Sequence, residues 1–243
     1  MERLWLTEPE RKTALADVTG VRGDRFTLDR GLYAPESRAY RHPQPADRGV
    51  VWLPNGEKRK LVGVFEEVDV VWHRLRDAVP TKGDRVQCHL DVPRRTLVSR
   101  AHTALHLFLL AMGRELPPMV RDPEVQGGGT VRITCASSPV PRERIAAALK
   151  RCDAWCREDR VVRREPVPHD LAEHRFVEQR FQDPAPYPGP ETTLEGVFVD
   201  GVGGFPCDGT HVGRTSAVGR IVVRHAHVGR GGDLVIVLAV TER

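Results

Sequence analysis

Apolar and polar residues alternate at short range from the N-terminus to about residue 92, in runs of strand length separated by turn residues. The runs read KTALADVTGV, RFTLDR, RGVVWLP, KLVGVFEEVDVVWHRL and RVQCHLDV. Short runs of this kind, closely spaced, predict a small β-barrel or sandwich. PNGEK at 54–58 predicts a hairpin turn, with Asn55 and Gly56 supplying positive φ angles.

After DVPRR the period changes. SRAHTALHLFLLAMGR (99–114) predicts a helix with Ser99 as its cap and Gly113 as its terminator. VQGGGTVRITCAS predicts a strand. PRERIAAALKRCDAWCRED (141–159) predicts an amphipathic helix whose apolar stripe holds Ile145, Leu149, Cys152 and Cys156, so that this thiol pair belongs to the core. HDLAEHRFVEQRF (169–181) predicts a shorter helix before the loop QDPAPYPGPE. GVFVDGV, GRIVVRHAHV and GDLVIVLAVT predict strands, the last two antiparallel across GRGGD. The expected fold class is α+β: an N-terminal small β-barrel over 1–92, then an α+β domain over 93–243 with an antiparallel sheet and packed helices.

Composition narrows the setting without choosing a function. The 243 residues suit one large domain or two ordinary ones, and 40% hydrophobic with 29% charged residues describe a globular chain. The N-terminus MERLWLTEPERK lacks the apolar stretch of a signal peptide, and the longest apolar run, LVIVLAV, is a strand's length; a cytoplasmic protein with no membrane partner is expected. Five scattered cysteines argue against a disulfide framework. The net charge of +4 is mild, but the cations are almost all arginine, whose fork suits phosphate oxygens.

The chemistry lies in two pairs. His102 and His106, four apart on the predicted helix, leave one face a turn apart. Cys207 and His211 repeat that spacing in the glycine-rich GGFPCDGTHVGRT. Together they form a four-ligand nitrogen and sulfur set that suits Zn2+. A metalloprotease would carry glutamate beside the first histidine, where this chain has Thr103. A Cys207 nucleophile with a histidine base is a second reading. A structural zinc is the third, because four protein ligands already complete a tetrahedron. His42, His73, His89, His169 and His174 have no partner in the pattern and are expected at the surface.

HTALH, followed about a hundred residues later by CDGTHVGRTSAVGRI, resembles the editing domain of alanyl-tRNA synthetase, and most of all the AlaX family of free-standing editing proteins. LWLTEPERKTALADVTGV, FTLDRGLYAPES, QPADRGVVW and GDRVQCHLDVPRRTLVSRAHTALH follow the order of the longer AlaX form. The resemblance implies a zinc site of His102, His106, Cys207 and His211 in a cleft that receives the 3′ CCA end of an aminoacyl-tRNA, with no part for DNA. It implies hydrolysis of the ester of mischarged tRNA, Ser-tRNA(Ala) first. Within that cleft Thr103 and Asp208 are the candidate catalytic residues, and Gln44, Gln126, Gly127, Gly128 and Gly129 the candidate substrate-binding ones. Arg224 and Arg230 are candidates for phosphate contacts. Each has a plainer alternative: helix packing for Thr103, a solvent-facing turn for Asp208, a hairpin for the glycines and a solvated strand edge for the arginines. The chain departs from the family in reading Arg41, His42 and Pro43 before Gln44, where the family has glycines, and in placing Asp208 after the cysteine. The altered stretch at 41–44 keeps open a threonine-like substrate, fluorothreonyl-tRNA. A zinc-stabilised RNA-binding module without activity is the alternative of another class.

Overall fold

The computed structural model describes residues 1–36, 43–113, 120–135, 140–171, 193–229 and 231–242. They form two compact units, one of residues 1–36 and 44–96, the other of residue 43 and residues 97 onward. The architecture is α+β, as the patterning predicts.

In the first unit β1 (Glu2–Arg3), α1 (Leu4–Thr7) and β4 (Arg30–Gly31) flank a closed antiparallel barrel. Its strands are β2 (Thr13–Arg22), β3 (Arg25–Leu28), β5 (Gly49–Trp52), β6 (Lys58–Glu67), β7 (Val70–Leu75) and β8 (Arg85–Leu90), in the order β2-β3-β7-β6-β5-β8. The alternation seen in the sequence closes the wall: Ala14, Ala16 and Val18 of β2 and Val86 and Cys88 of β8 point into a core completed by Phe26, Leu28, Val51, Leu61 and Val64. Register shifts at Val18/Gly20 and Leu61/Gly63 bend β2 and β6, as barrel curvature requires.

Three local expectations are corrected here. In PNGEK only Gly56 has positive φ (82°); Pro54 and Asn55 form the turn, closed by Gly56 N–H donating to Leu53 O at 3.0 Å. KLVGVFEEVDVVWHRL is a hairpin, turned by Val68 and Asp69, both at positive φ (48° and 61°). His73 lies in the barrel core, not at the surface: it is fully buried, 5.5 Å from Phe26 and 6.1 Å from Tyr33 between ring centroids. Val71, His73 and Leu75 share the inward phase of β7, so the alternation itself carried that signal.

A buried ion pair also sits in this unit. Asp47 accepts from Arg95 Nε at 2.9 Å, from Arg95 Nη2 and from Ala34 N–H at 2.7 Å, while Arg95 Nη2 donates to Leu32 O at 3.0 Å. The QPADRG stretch thus places Asp47 as an internal anchor.

The helix predicted from Ser99 starts earlier. α2 runs Val92–Met112, and its cap is Asp91, whose carboxylate accepts from Arg94 N–H at 3.2 Å. Ser99 is buried inside the helix. The expected terminator holds, with Gly113 at φ 55°. From Ala101 to Met112 the helix is apolar nearly all round, the pattern of a helix enclosed by its unit.

The second unit encloses it with two antiparallel sheets and α3 (Arg142–Arg157). One sheet is ordered β14-β15-β10-β9, from β9 (Val120–Gln126), β10 (Thr130–Cys135), β14 (Arg220–Val228) and β15 (Leu234–Thr241). The other is β11 (Val162–Pro168), β12 (Thr193–Val199) and β13 (Gly203–Pro206). The terminal strands β14 and β15 pair antiparallel, as read from the sequence. α3 buries Ile145, Ala148, Cys152 and Cys156, and burial raises the Cys152 thiol pKa; these sulfurs are core. The GGFP of the glycine-rich stretch is no loose loop but strand β13, with Phe205 fully buried. Of the helix predicted at 169–181, residues from 172 onward lie outside the described residues, as does the loop after it.

Candidate metal centre

The helical spacing of His102 and His106 puts both imidazoles on one face of α2, where the enclosing unit buries them fully. β13 delivers Cys207 to the same place: its strand partner β12 supplies Glu195 O, which accepts Cys207 N–H at 2.7 Å. The chain then turns through Gly209 to bring His211 back. One donor atom from each of His102, His106, Cys207 and His211 lies within 4.8 Å of the others. Cys207 Sγ is 3.4 Å from His102 Nε2 and 3.3 Å from His211 Nε2. A tetrahedral zinc with bonds of about 2.0–2.3 Å has edges of roughly 3.3–3.6 Å. The two Cys207 distances match such edges, and a donor set of three imidazole nitrogens and one thiol sulfur suits a metal ion.

Protein groups around the cluster fix the donors. Gly209 N–H points at Cys207 Sγ (3.4 Å), a contact that favours the thiolate. Arg164 of β11 donates through Nη1 to Cys207 O at 2.6 Å and through Nη2 to Gly209 O, clamping the turn. Thr103 Oγ1 donates to Ser99 O (2.9 Å) and lies 3.1 Å from His211 Nδ1, while Val212 N–H donates to it at 3.2 Å. A hydroxyl has one proton. With that proton on Ser99 O, His211 must donate through Nδ1–H, which leaves its Nε2 lone pair on the side of the thiol. Phe205 packs at 4.8 Å from the His106 ring, closing the apolar side.

The remaining predicted residues are spread more widely. Asp208 is half-buried next to the cysteine but is not one of the four clustered donors. Gly127 and Gly128 form the β9–β10 turn and Gly129, at φ 76°, closes it; Gln126 Oε1 accepts from Thr130 Oγ1 at 2.8 Å. Gly129 is favoured by its positive φ, and a Cβ there would also stand close to side chains, 3.3 Å from Leu97 and 3.4 Å from Val240. Gln44 is buried in the first unit. Arg224 is exposed on the edge strand β14, at a bulge between Val223 and His225. Arg230, together with Arg41 and His42, lies outside the described residues. Arg164 had no signal in the sequence, because nothing in an alternating strand says that one arginine reaches two carbonyls of a distant turn.

No family model matches the chain. It is 30% identical over 212 residues to an alanine–tRNA ligase of Caldivirga maquilingensis, covering 84% of this chain and 22% of that protein. It is 32% identical over 204 residues to that of Halorubrum lacusprofundi (83% and 21%) and 29% identical over 232 residues to that of Methanopyrus kandleri (91% and 24%). The chain therefore spans between a fifth and a quarter of the length of these curated relatives. The matches bear out the resemblance stated from the sequence. Among the described residues no helix is long and apolar enough to cross a membrane.

Proposed function

We propose, on the premise that this chain is a relative of archaeal alanine–tRNA ligases, that it is a zinc-dependent aminoacyl-tRNA deacylase acting in trans, with Ser-tRNA(Ala) as its substrate. The observation that carries the reading is the group His102, His106, Cys207 and His211, whose donor atoms gather within 4.8 Å in a chain with that kinship. His102, His106, Cys207 and His211 would hold the zinc, which would supply Lewis acidity toward a substrate oxygen or amine or activate a water.

The protein's own part is to hold, orient and exclude. α2 presents two imidazoles from a buried helix that cannot tilt without disturbing its core. Arg164 and the Cys207–Glu195 backbone bond hold the turn that presents the thiol. Thr103 sets the tautomer of His211 and acts as a positioning residue. In this reading Asp208, half-buried beside the cysteine, receives the substrate's ammonium group. The ester of an aminoacyl-tRNA is intrinsically labile, so that ordering a water against it and keeping other substrates out suffices for large rate gains. Cytoplasmic residence and recognition of the CCA end by Arg224, Arg230 and the 126–129 turn belong to the same reading.

A panel of Ser-tRNA(Ala), Gly-tRNA(Ala), Ser-tRNA(Thr), Thr-tRNA(Thr) and a fluorothreonyl-tRNA tests the substrate. Release of serine from Ser-tRNA(Ala) well above the other members is expected. Preference for the fluorothreonyl ester would move the substrate to a threonine-like amino acid, and no hydrolysis of any member would contradict the deacylase.

A further inference from the structure

The barrel carries a surface that the metal centre does not use. Direct pairing aligns Leu15 of β2, Gln87 of β8, Trp52 of β5 and Lys58 of β6 in one row across four neighbouring strands. The adjacent row is Thr13, His89, Val50 and Lys60, and on the other side Asp17 faces Arg85. Residues directly opposite in antiparallel ladders share a face. The interleaved Ala14, Cys88 and Val51 are buried, so these rows form the outer wall. Leu15 is 53% and Trp52 39% exposed, and Gln87, Lys58 and Lys60 are exposed beside them. The Trp52 indole therefore presents part of its face to solvent on the outer wall.

Its neighbours are cationic. Lys58 Nζ lies 5.8 Å from the Trp52 ring centroid. Next to Leu15 and Gln87 a pocket of about 380 Å³ is walled by Arg11, Arg30 and Arg85. Their acidic neighbours sit at the surface: Glu8 at 2.9 Å from Arg11, Glu2 at 3.3 Å and Asp29 at 4.0 Å from Arg30, and Asp17 at 3.9 Å from Arg85. Exposed pairs like these are weak, and a phosphate oxygen can replace a carboxylate on an arginine fork. A pocket walled by three arginine forks beside an exposed aromatic platform offers contacts to the two parts of a nucleotide, its phosphate and its base. An apolar protein surface would instead take Lys58, Lys60 and the exposed arginine–carboxylate pairs out of water at a desolvation cost.

We propose that the β2–β8–β5–β6 wall of the barrel is an RNA-binding surface. Arg11, Arg30 and Arg85 take a backbone phosphate, and Trp52 stacks on a base of an unpaired segment. The proposal rests on the deacylase reading only in taking tRNA as the RNA; it gives tRNA a contact in addition to the metal centre.

The test uses the full chain and an uncharged tRNA transcript, with binding read by fluorescence anisotropy over a salt series. Arg30→Ser with Arg85→Ser is expected to weaken binding at least tenfold and to lower the slope of log affinity against log salt by about 1, the share of one phosphate. Trp52→Leu, which keeps an apolar side chain on the wall, is expected to weaken it about tenfold, with partial recovery in Trp52→Phe. Thermal midpoints verify folding, and if the arginine variant does not fold, Trp52→Leu decides. Wild-type affinity and slope in the folded variants would overturn the proposal, as would no binding of tRNA by the parent chain. Binding of uncharged tRNA requires no catalysis. Deacylation with unchanged binding in the variants therefore defeats the wall alone, while lost binding in the variants without any deacylation defeats the deacylase alone.

Discussion

At the scale of single residues, Thr103 and His73 show how one hydroxyl and one imidazole acquire roles from what surrounds them. Thr103 Oγ1 lies 2.9 Å from Ser99 O and 3.1 Å from His211 Nδ1, so its loss frees the His211 ring to rotate or change tautomer. Thr103→Val keeps the shape and is expected to weaken zinc binding about 10–100-fold in a competition titration with a chromophoric chelator, with Thr103→Ser recovering most of it. Equal zinc affinity in Thr103→Val would remove the positioning role. His73 is held neutral in the barrel: burial pushes its pKa down to about 4. In the unfolded chain it takes a proton near pH 6.5, so the folded state is at its full stability above that pH and loses it as pH falls toward 4. The total is about 3 kcal/mol from this one group. His73→Leu should flatten the acid limb of the stability profile between pH 6.5 and 4, measured by urea unfolding at fixed pH; an unchanged profile would show that the imidazole is protonated in the fold. The grouping of His102, His106, Cys207 and His211 was legible because two spacings of four recur in one chain. His73 was legible in principle from the alternation of Val71, His73 and Leu75, and was missed by weighing its polarity above its phase.

At the scale of elements, turn and cap chemistry decided where strands and helices begin. The Val68–Asp69 turn holds two non-glycine residues at positive φ, and Val68 is 95% exposed, so it gains no packing in return. A two-residue hairpin of this form favours Asn-Gly. Val68→Asn with Asp69→Gly is expected to stabilise the barrel by about 1 kcal/mol, read as a raised thermal midpoint; a lowered midpoint would mean that the turn is not strained. Nothing in the run of sixteen alternating residues KLVGVFEEVDVVWHRL marked a turn at that pair, which is why its hairpin was invisible. The start of α2 was legible but misread. Asp91 followed by Val92 and Pro93 is a better cap sequence than Ser99, since proline is tolerated in a first turn. Asp91→Ala should cost about 1 kcal/mol, whereas Ser99→Ala should leave the helix start intact; the reverse order of effects in thermal unfolding would restore Ser99 as the cap.

At the scale of the whole molecule, the change of period after residue 92 foretold an all-β part followed by an α+β part, and both are present. What the pattern could not supply was strand order. Closure of six strands as β2-β3-β7-β6-β5-β8 depends on long-range pairs such as β2 with β8, which leave no local trace. The same is true of the site: α2 and β13 meet across about a hundred residues of chain, and only the shared ligand chemistry of His102, His106, Cys207 and His211 joined them in advance. The central claim is that these four residues hold a zinc ion on which deacylation depends. The most direct test is release of labelled serine from Ser-tRNA(Ala) by the full chain before chelation, after chelator treatment, and after zinc is restored. The account predicts release that is lost with the metal and regained with it, with one equivalent of zinc bound per chain. Undiminished release from protein shown to be free of metal would contradict it.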